Sequence, residues 1–431
     1  MKIKFINHAC FIVENDGKKI MCDPWFDGNI FDDGWSLMYE NSSVREHEYD
    51  YVWISHEHPD HFRPNMFCED KIANNKTIIL QQRPNDRKLH DWFTKKNYKV
   101  VEVPQSKEIN IENCFILGGD LNYDFDSWVY FKFGDKTVLN LNDCISFKNE
   151  QDIHDIKKAL GHVDVLLTQF SFANWTGNKN DSETPEKAKH IVLTDLKKIF
   201  EIIKPDCIIP FASFVCFSHE ENSYLNQNSI SVKDFVEYFP EEKVVVMKPG
   251  DEWDLSEAWE HNNKNIKFWQ NCASSVNKNS LTKTKTCDFA TLKKSFNKMK
   301  KVLQENNDMV LFKERAFSLK PTDIYLTDLK LSVEYDILTD FKKTRTAKDG
   351  CDVIMSSESL YNVMKTAWGF GTLMINGRFQ ANYDTFSNFV FQTRLFYMNN
   401  IGKRFPDSIK IEEITSSPSL VNRLVNLKNV E

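Results

Sequence analysis

Residues 55–61 read Ser55-His56-Glu57-His58-Pro59-Asp60-His61, three imidazoles and two carboxylates directly after the apolar run Tyr51-Val52-Trp53-Ile54. A strand that releases its chain into a short loop carries such side chains at its tip. The spacing lets His56 and His58 bind one ion while Asp60 and His61 turn towards a second. The alternative, a His-rich surface loop, fits the strand-then-loop context less well. The segment therefore reads as half of a dinuclear metal site, and the other half must come from elsewhere in the chain.

His-x-His-x-Asp-His after a hydrophobic strand resembles the signature of the metallo-β-lactamase fold superfamily. Asn7 to Val13, the Asp16-Gly17 turn and Lys19 to Phe26 resemble the opening hairpin of the branch containing ascorbate-phosphate lactonases and N-acyl-phosphatidylethanolamine phospholipase D. Asp206 to Phe217 followed by Ser218-His219-Glu220 is similar to the non-Rieske part of CMP-N-acetylneuraminate hydroxylases. So are the Lys248-Pro249-Gly250-Asp251 turn and Phe391-Gln392-Thr393-Arg394-Leu395. The superfamily resemblance covers about residues 1–260 and implies an α/β fold, a four-layered αββα sandwich.

The chain of 431 residues, with 41% hydrophobic residues and 33 Phe, has ample material for a large core and is not composed like a disordered protein. Its net charge of −7 includes no Lys/Arg block able to follow a phosphate backbone, which argues against nucleic acid as a partner. No apolar run is long enough for a membrane span, and Met1 to His8 lacks a signal-like apolar stretch, so a cytoplasmic location is expected. The ten Cys are scattered singly, which predicts reduced thiols. A Rieske centre needs two closely spaced Cys-His ligand pairs, and the sequence does not contain them.

Short β-type runs recur through the first part: Lys2–Ile6, Ala9–Glu14, Lys19–Cys22, Tyr51–Ile54, Thr77–Leu80, Val100–Val103, Ser127–Phe133, Thr137–Leu141, Val163–Leu167 and Cys207–Pro210. Thr184 as cap and Pro185 at the first helical position predict a helix to about Ile203, and Asp86 to Lys96 and Asp152 to Leu160 predict two more. Residues 261–286 are rich in Asn, Lys, Ser and Thr and read as a linker. Residues 287–431 then read as a smaller α+β domain. It has a helix over Phe289 to Asn306, strands within Asp323 to Asp340 and at Asp352–Met355, a helix from Ser357, and an Asn376-Gly377-Arg378-Phe379 motif. This order resembles sterol-carrier-type domains.

The resemblance assigns His56, His58, Asp60 and His61 to the metals, Asp143 as the bridging carboxylate after its strand, and His219 as the last imidazole. Zinc hydrolases of the superfamily carry one more His some twenty residues before the bridging Asp, and residues 114–143 contain none. The loop Gly118 to Asp126 offers three carboxylates instead; Asp124 fits the family spacing best and Asp120 second. A carboxylate in place of an imidazole favours iron, or manganese, over zinc. His8 and Asp60 are the candidate catalytic residues. Trp25, Phe26, Phe172 and Trp175 are candidate walls of a substrate cavity, and Arg63 and Lys187 candidate anion contacts.

The leading expectation is a two-iron enzyme with O₂ as co-substrate, a small polar or carrier-bound substrate and an external electron donor. The alternative is a hydrolase, with iron, manganese or zinc, acting on a phosphodiester, lactone or amide. A third reading makes the protein chiefly a sterol-carrier-type binding module. A homo-oligomer is compatible with all three.

Overall fold

The computed structural model describes residues 1–41, 48–69, 72, 74–84, 86–120, 126–145, 150–172, 174–276, 281–316 and 319–415. Its first part contains strands β1 (Lys2–Asn7), β2 (Cys10–Asn15), β3 (Lys18–Cys22), β4 (Trp35–Leu37), β5 (Tyr51–Ile54), β6 (Thr77–Gln81), β7 (Lys99–Val103) and β8 (Ile109–Ile111). These are followed by β9 (Cys114–Asp120), β10 (Ser127–Phe133), β11 (Lys136–Asn142), β12 (Val165–Gln169), β13 (Cys207–Phe211), β14 (Val215–Phe217) and β15 (Glu252–Asp254). Seven form one sheet in the order β15-β1-β2-β3-β5-β6-β7, and six form a second in the order β13-β12-β11-β10-β9-β8.

Alternation along the strands explains why the two sheets stack. On β5 and β6, Trp53 and Ile79 face the second sheet, where Val129, Phe131 and Leu139 share their core. Their neighbours Val52, Ile54, Ile78 and Leu80 face outward and are covered by Phe67 and Phe93 from helices Pro64–Cys68 and Lys88–Lys95. Period-two burial on both faces requires a sheet covered on both sides. Helices Glu150–Leu160 and Glu183–Ile203 supply Ile153, Ile156, Leu193 and Leu196 to the core of the second sheet. The result is the αββα sandwich.

Every strand expected from the sequence is present to within two residues at each end, and the short or Gly-containing strands β4, β8, β9, β14 and β15 were not expected. Two local readings are corrected. The N-cap of helix Glu183–Ile203 is Ser182, and the first-turn donors are met by the preceding Asp181, whose carboxylate accepts from Glu183 N (3.1 Å), Thr184 N (3.0 Å) and Thr184 Oγ1 (2.5 Å). Residues 262–276, expected within a linker, form a helix that packs on the first part of the chain. Its Trp269 stacks on Phe214 with ring centroids 3.9 Å apart and donates to the Met247 carbonyl (2.8 Å). Asn262 and Asn265 satisfy Val246 from the same face.

The C-terminal part opens with helix Phe289–Asn306 and builds its own sheet from β16 (Thr322–Leu326), β17 (Leu331–Tyr335), β18 (Phe341–Thr344), β19 (Val353–Met355) and β20 (Phe379–Ala381). Their order is β18-β17-β16-β19-β20. Helix Gly369–Asn376 ends at Gly377, whose φ of 63° is the left-handed cap that glycine adopts without strain. The apolar core of this part is continuous with the outer core of the first sheet. Trp175, expected to wall a cavity, is instead buried against Phe379 (4.8 Å), Tyr383 and Phe386 across that junction. No described helix is long and apolar enough to cross a membrane.

Candidate metal centre

Strands β3 and β5 run parallel, as do β11 and β12, so the C-terminal ends of β3, β5 and β11 can open onto one rim. Asp23 follows β3, His56 to His61 follow β5, and Asp143 follows β11. Two groups of ligand atoms converge there, each mutually within 4.8 Å: His56, His58 and Asp143, and His8, Asp60 and His61. His56 Nε2 lies 2.9 Å from His58 Nδ1, and His61 Nε2 lies 3.3 Å from Asp60 Oδ2. Asp143 Oδ2 stands between the groups, 3.4 Å from His61 Nε2 and 3.9 Å from His56 Nε2. His8 joins from the β1–β2 turn, its Nε2 3.3 Å from Asp60 Oδ2.

A buried carboxylate behind the loop sets the imidazole orientations. Asp23, fully buried, accepts at Oδ2 from His61 Nδ1 (2.9 Å), Ser55 Oγ (2.7 Å) and Asn142 Nδ2 (2.8 Å), and at Oδ1 from Ser55 N (2.8 Å). A carboxylate only accepts, so His61 carries a proton on Nδ1 and turns Nε2 towards Asp60 and Asp143, where a cation would displace the second proton. Ser55 Oγ spends its proton on Asp23 and accepts from His56 Nδ1 (2.9 Å), which bares His56 Nε2. Asp23 lies in the opening hairpin, where nothing in the local sequence marks this role. The backbone around the rim is strained: His8, Asp23 and Asn142 have φ of 30°, 41° and 47° without being glycine.

The donor set fits metal ions. Asp60 Oδ1, Asp143 Oδ1 and His61 Nε2 are buried without a hydrogen-bond partner among the described residues, a cost that a cation would remove. Burial alone would lower the pKa of His61, but Asp60, Asp143 and Asp23 outweigh it and hold it well above the ordinary range. His56, surrounded by burial, His61 and His58, is pushed well below it. The rim thus has a negative side and a neutral imidazole side, as a site that takes up cations needs.

Of the carboxylate loop, Asp124 lies outside the described residues. Asp120 is turned away, paired with Arg83 Nε and Nη2 at 3.0 Å each. Asp126 stands at the site, with Oδ1 3.2 Å from His56 Nε2 and 4.0 Å from His58 Nδ1. Its neighbour explains why: Ser127 Oγ donates to the Ser55 carbonyl (2.5 Å), fastening the start of β10 to the end of β5. Trp25 packs edge-on to His8 at 5.4 Å and Phe26 is fully buried. Arg63 bonds the Asp27 carbonyl and Lys187 pairs with Glu183, so neither faces the rim.

Residues 2–212 match the model of the β-lactamase superfamily domain. This region is a β-lactamase superfamily domain. The chain is also similar to the cytidine monophosphate-N-acetylneuraminic acid hydroxylase of Danio rerio, 22% identical over 254 residues, or 53% of this chain and 40% of that protein. The inactive human counterpart is 23% identical over 249 residues, covering 53% and 48%. The matched stretch spans less than half the length of either relative. Among solved structures, the isothiocyanate hydrolase from Delia radicum gut bacteria aligns with a TM-score of 0.43 and 13% identity, covering 59% of this chain and 98% of that one.

One residue assigned by resemblance stands elsewhere. His219 faces Glu221 (Nδ1 to Oε2, 3.5 Å) and Glu358 (Nε2 to Oε2, 3.9 Å), outside both ligand groups. The cause is the turn that carries it: Asn222 accepts His219 N and donates to the carbonyls of Gly34 (2.9 Å) and Asn376 (2.7 Å), drawing the ring to the junction with the C-terminal part. Burial and Arg378 push the His219 pKa down to about 4. A His whose folded pKa is depressed contributes stability that is complete above its unfolded pKa of about 6.5 and is lost as pH falls towards 4. Glu221, raised by burial against the pull of Arg378, acts in the opposite sense. The slope belonging to His219 is therefore read by comparison: between pH 7 and pH 4 the melting temperature of the wild type should fall more steeply than that of His219→Asn.

Proposed function

We propose that the rim holds two metal ions, that iron is the metal it favours, and that the protein is an oxygenase acting on a small polar or carrier-bound substrate. His56, His58 and Asp126 would hold one ion, Asp60 and His61 the other, with Asp143 between them and His8 beside Asp60. The reading is carried by one observation, the Asp126 carboxylate 3.2 Å from His56 Nε2 where a zinc hydrolase of this superfamily would offer an imidazole. Hard oxygen donors and added negative charge favour iron or manganese and their oxidised states. The similarity to a hydroxylase supports the same direction. Bound iron would supply Lewis acidity and the redox chemistry that dioxygen activation requires.

The chain's own residues do the rest. Asp23 and Ser55 keep the Nε2 atoms of His61 and His56 aimed at the rim before any ligand arrives. His8, buried beside Asp60, can hold a proton at Nε2 facing Asp60 Oδ2, which makes the pair the candidate for proton transfer. An external donor would supply the electrons.

A hydrolase is the second reading, favoured by the intact His56-x-His58-x-Asp60-His61 loop, which suits two Lewis-acidic ions as well. Metal analysis of protein purified without added metal, with its ultraviolet-visible spectrum, separates the two. Iron near two equivalents with ferric charge-transfer absorption is the expected outcome. Zinc alone, with no O₂ uptake in the presence of a reductant, would replace the oxygenase by the hydrolase.

A further inference from the structure

His58 is the least enclosed of the ligand imidazoles, its side chain 44% exposed while those of His56 and His61 are fully buried. Besides the His56 ring at 4.6 Å, the wall beside it is the ring of Phe31, edge-on with centroids 6.2 Å apart. Phe31 sits in an unusual turn. Phe31, Asp32 and Asp33 all have left-handed backbone, with φ of 50°, 56° and 60°, although none is glycine. Each such residue is disfavoured by its Cβ, and three in succession persist only where the surroundings hold them.

The carbonyls of Phe31 and Asp32 are held from beyond residue 287, those of Asp33 and Gly34 from residues 218–222. The Phe31 carbonyl accepts from Asn376 Nδ2 (3.1 Å) and the Asp32 carbonyl from Arg378 Nη1 (2.7 Å). The Asp33 carbonyl accepts from Ser218 Oγ (3.2 Å), and the Gly34 carbonyl from Ser218 N and Asn222 Nδ2 (2.9 Å each). Arg378 is itself fixed, 1% exposed, by Glu221 (2.8 Å) and Glu358 (2.6 Å). Asn376 Oδ1 accepts Arg378 N (3.0 Å), so the Asn376-Gly377-Arg378 motif acts as one unit. Gly34 is obligatory beneath it, because a Cβ there would lie 2.5 Å from Cβ of Asn376.

We infer that Arg378, with Asn376, is a positioning residue for the metal centre: the C-terminal domain clamps the left-handed Phe31–Asp33 turn, and the turn holds Phe31 against His58. The inference rests on the proposed dinuclear site. It gives the C-terminal domain a part in that site although it contributes no ligand. It also accounts for the Glu221–Arg378–Glu358 cluster, whose carboxylates hold the buried guanidinium that donates to the Asp32 carbonyl.

The test titrates the metal-free full-length protein with cobalt(II), following its visible absorption, beside a His58→Ala reference that identifies the equivalent His58 serves. Wild type should take two equivalents. Arg378→Lys, which keeps the charge but loses the planar fork, should weaken the His58 equivalent roughly tenfold to a hundredfold and leave the other unchanged. Phe31→Leu, a milder change at the ring, should weaken the same equivalent. Adding Asp32→Gly and Asp33→Gly to Arg378→Lys should restore it, because glycine holds the left-handed turn unaided. Wild-type behaviour of both Arg378→Lys and Phe31→Leu would overturn the inference, as would equal weakening of both equivalents. A wild type taking fewer than two equivalents would overturn the dinuclear reading and the clamp with it, so the wild-type titration tells the two failures apart.

Discussion

Asp23→Ala is expected to cost about 3–5 kcal/mol of stability, as breaking a buried charged network does, and to abolish metal binding together with it. The substitution strips the acceptor from four buried donors at once: Ser55 N, Ser55 Oγ, Asn142 Nδ2 and His61 Nδ1. None can turn to water from this position between the sheets. His61 and His56 then lose the bonds that fix their tautomers, and their Nε2 lone pairs are no longer committed to the rim. Asp23→Asn separates the two roles, since its amide still accepts once but turns a donor towards donors. It should fold with a lower denaturant midpoint and bind metal roughly tenfold to a hundredfold more weakly. Asp143→Ala is the contrast, losing metal with little loss of stability, because Asp143 stands at a loop tip and its Oδ1 has no hydrogen bond among the described residues to lose. Should Asp23→Ala unfold in denaturant at the wild-type midpoint, the network is not the framework described here.

What the sequence disclosed and what it hid divide along one physical line. The His56–His61 loop was legible because its ligands are contiguous and follow a continuous apolar strand. The sandwich was legible because most of its strands are continuous apolar runs. Asp23 was hidden because its meaning lies in partners 32 to 119 residues away, Ser55 and Asn142, which only the stacking of two sheets brings together. Asp120, at the end of β9, and Asp126 have the same side chain, and the choice between them is made by Arg83, which takes the first, and by Ser127, which fastens the second beside His56. His219 follows an apolar run as a ligand would, yet Asn222 bonds Asn376, 154 residues away, and turns it to the junction. The helix over 262–276 was masked by its polar composition, although Asn262, Asn265 and Trp269 recur at helical spacing and carry its attachment.

Exchange of a single ligand should move the protein between metals. Asp126→His replaces an oxygen donor by nitrogen and removes one negative charge beside His56, which lies 3.2 Å from the carboxylate it would lose. Softer, more neutral donor sets suit zinc and stabilise iron less, above all in its oxidised form. The variant purified without added metal should therefore carry zinc where the wild type carries iron, and its ferric absorption and reductant-dependent O₂ uptake should fall to background. Stability should change little, since Asp126 is partly exposed and the fastening of β10 is made by Ser127, which is left in place. Asp120→His is the matched control: it breaks the pair with Arg83 but touches neither ligand group, so metal identity should stay as in the wild type. Asp124→His completes the series. If that variant, and not Asp126→His, shifts the metal, the ligand is the residue that family spacing favours. If none of the three does, the carboxylate is not what selects the metal and the oxygenase reading loses its support.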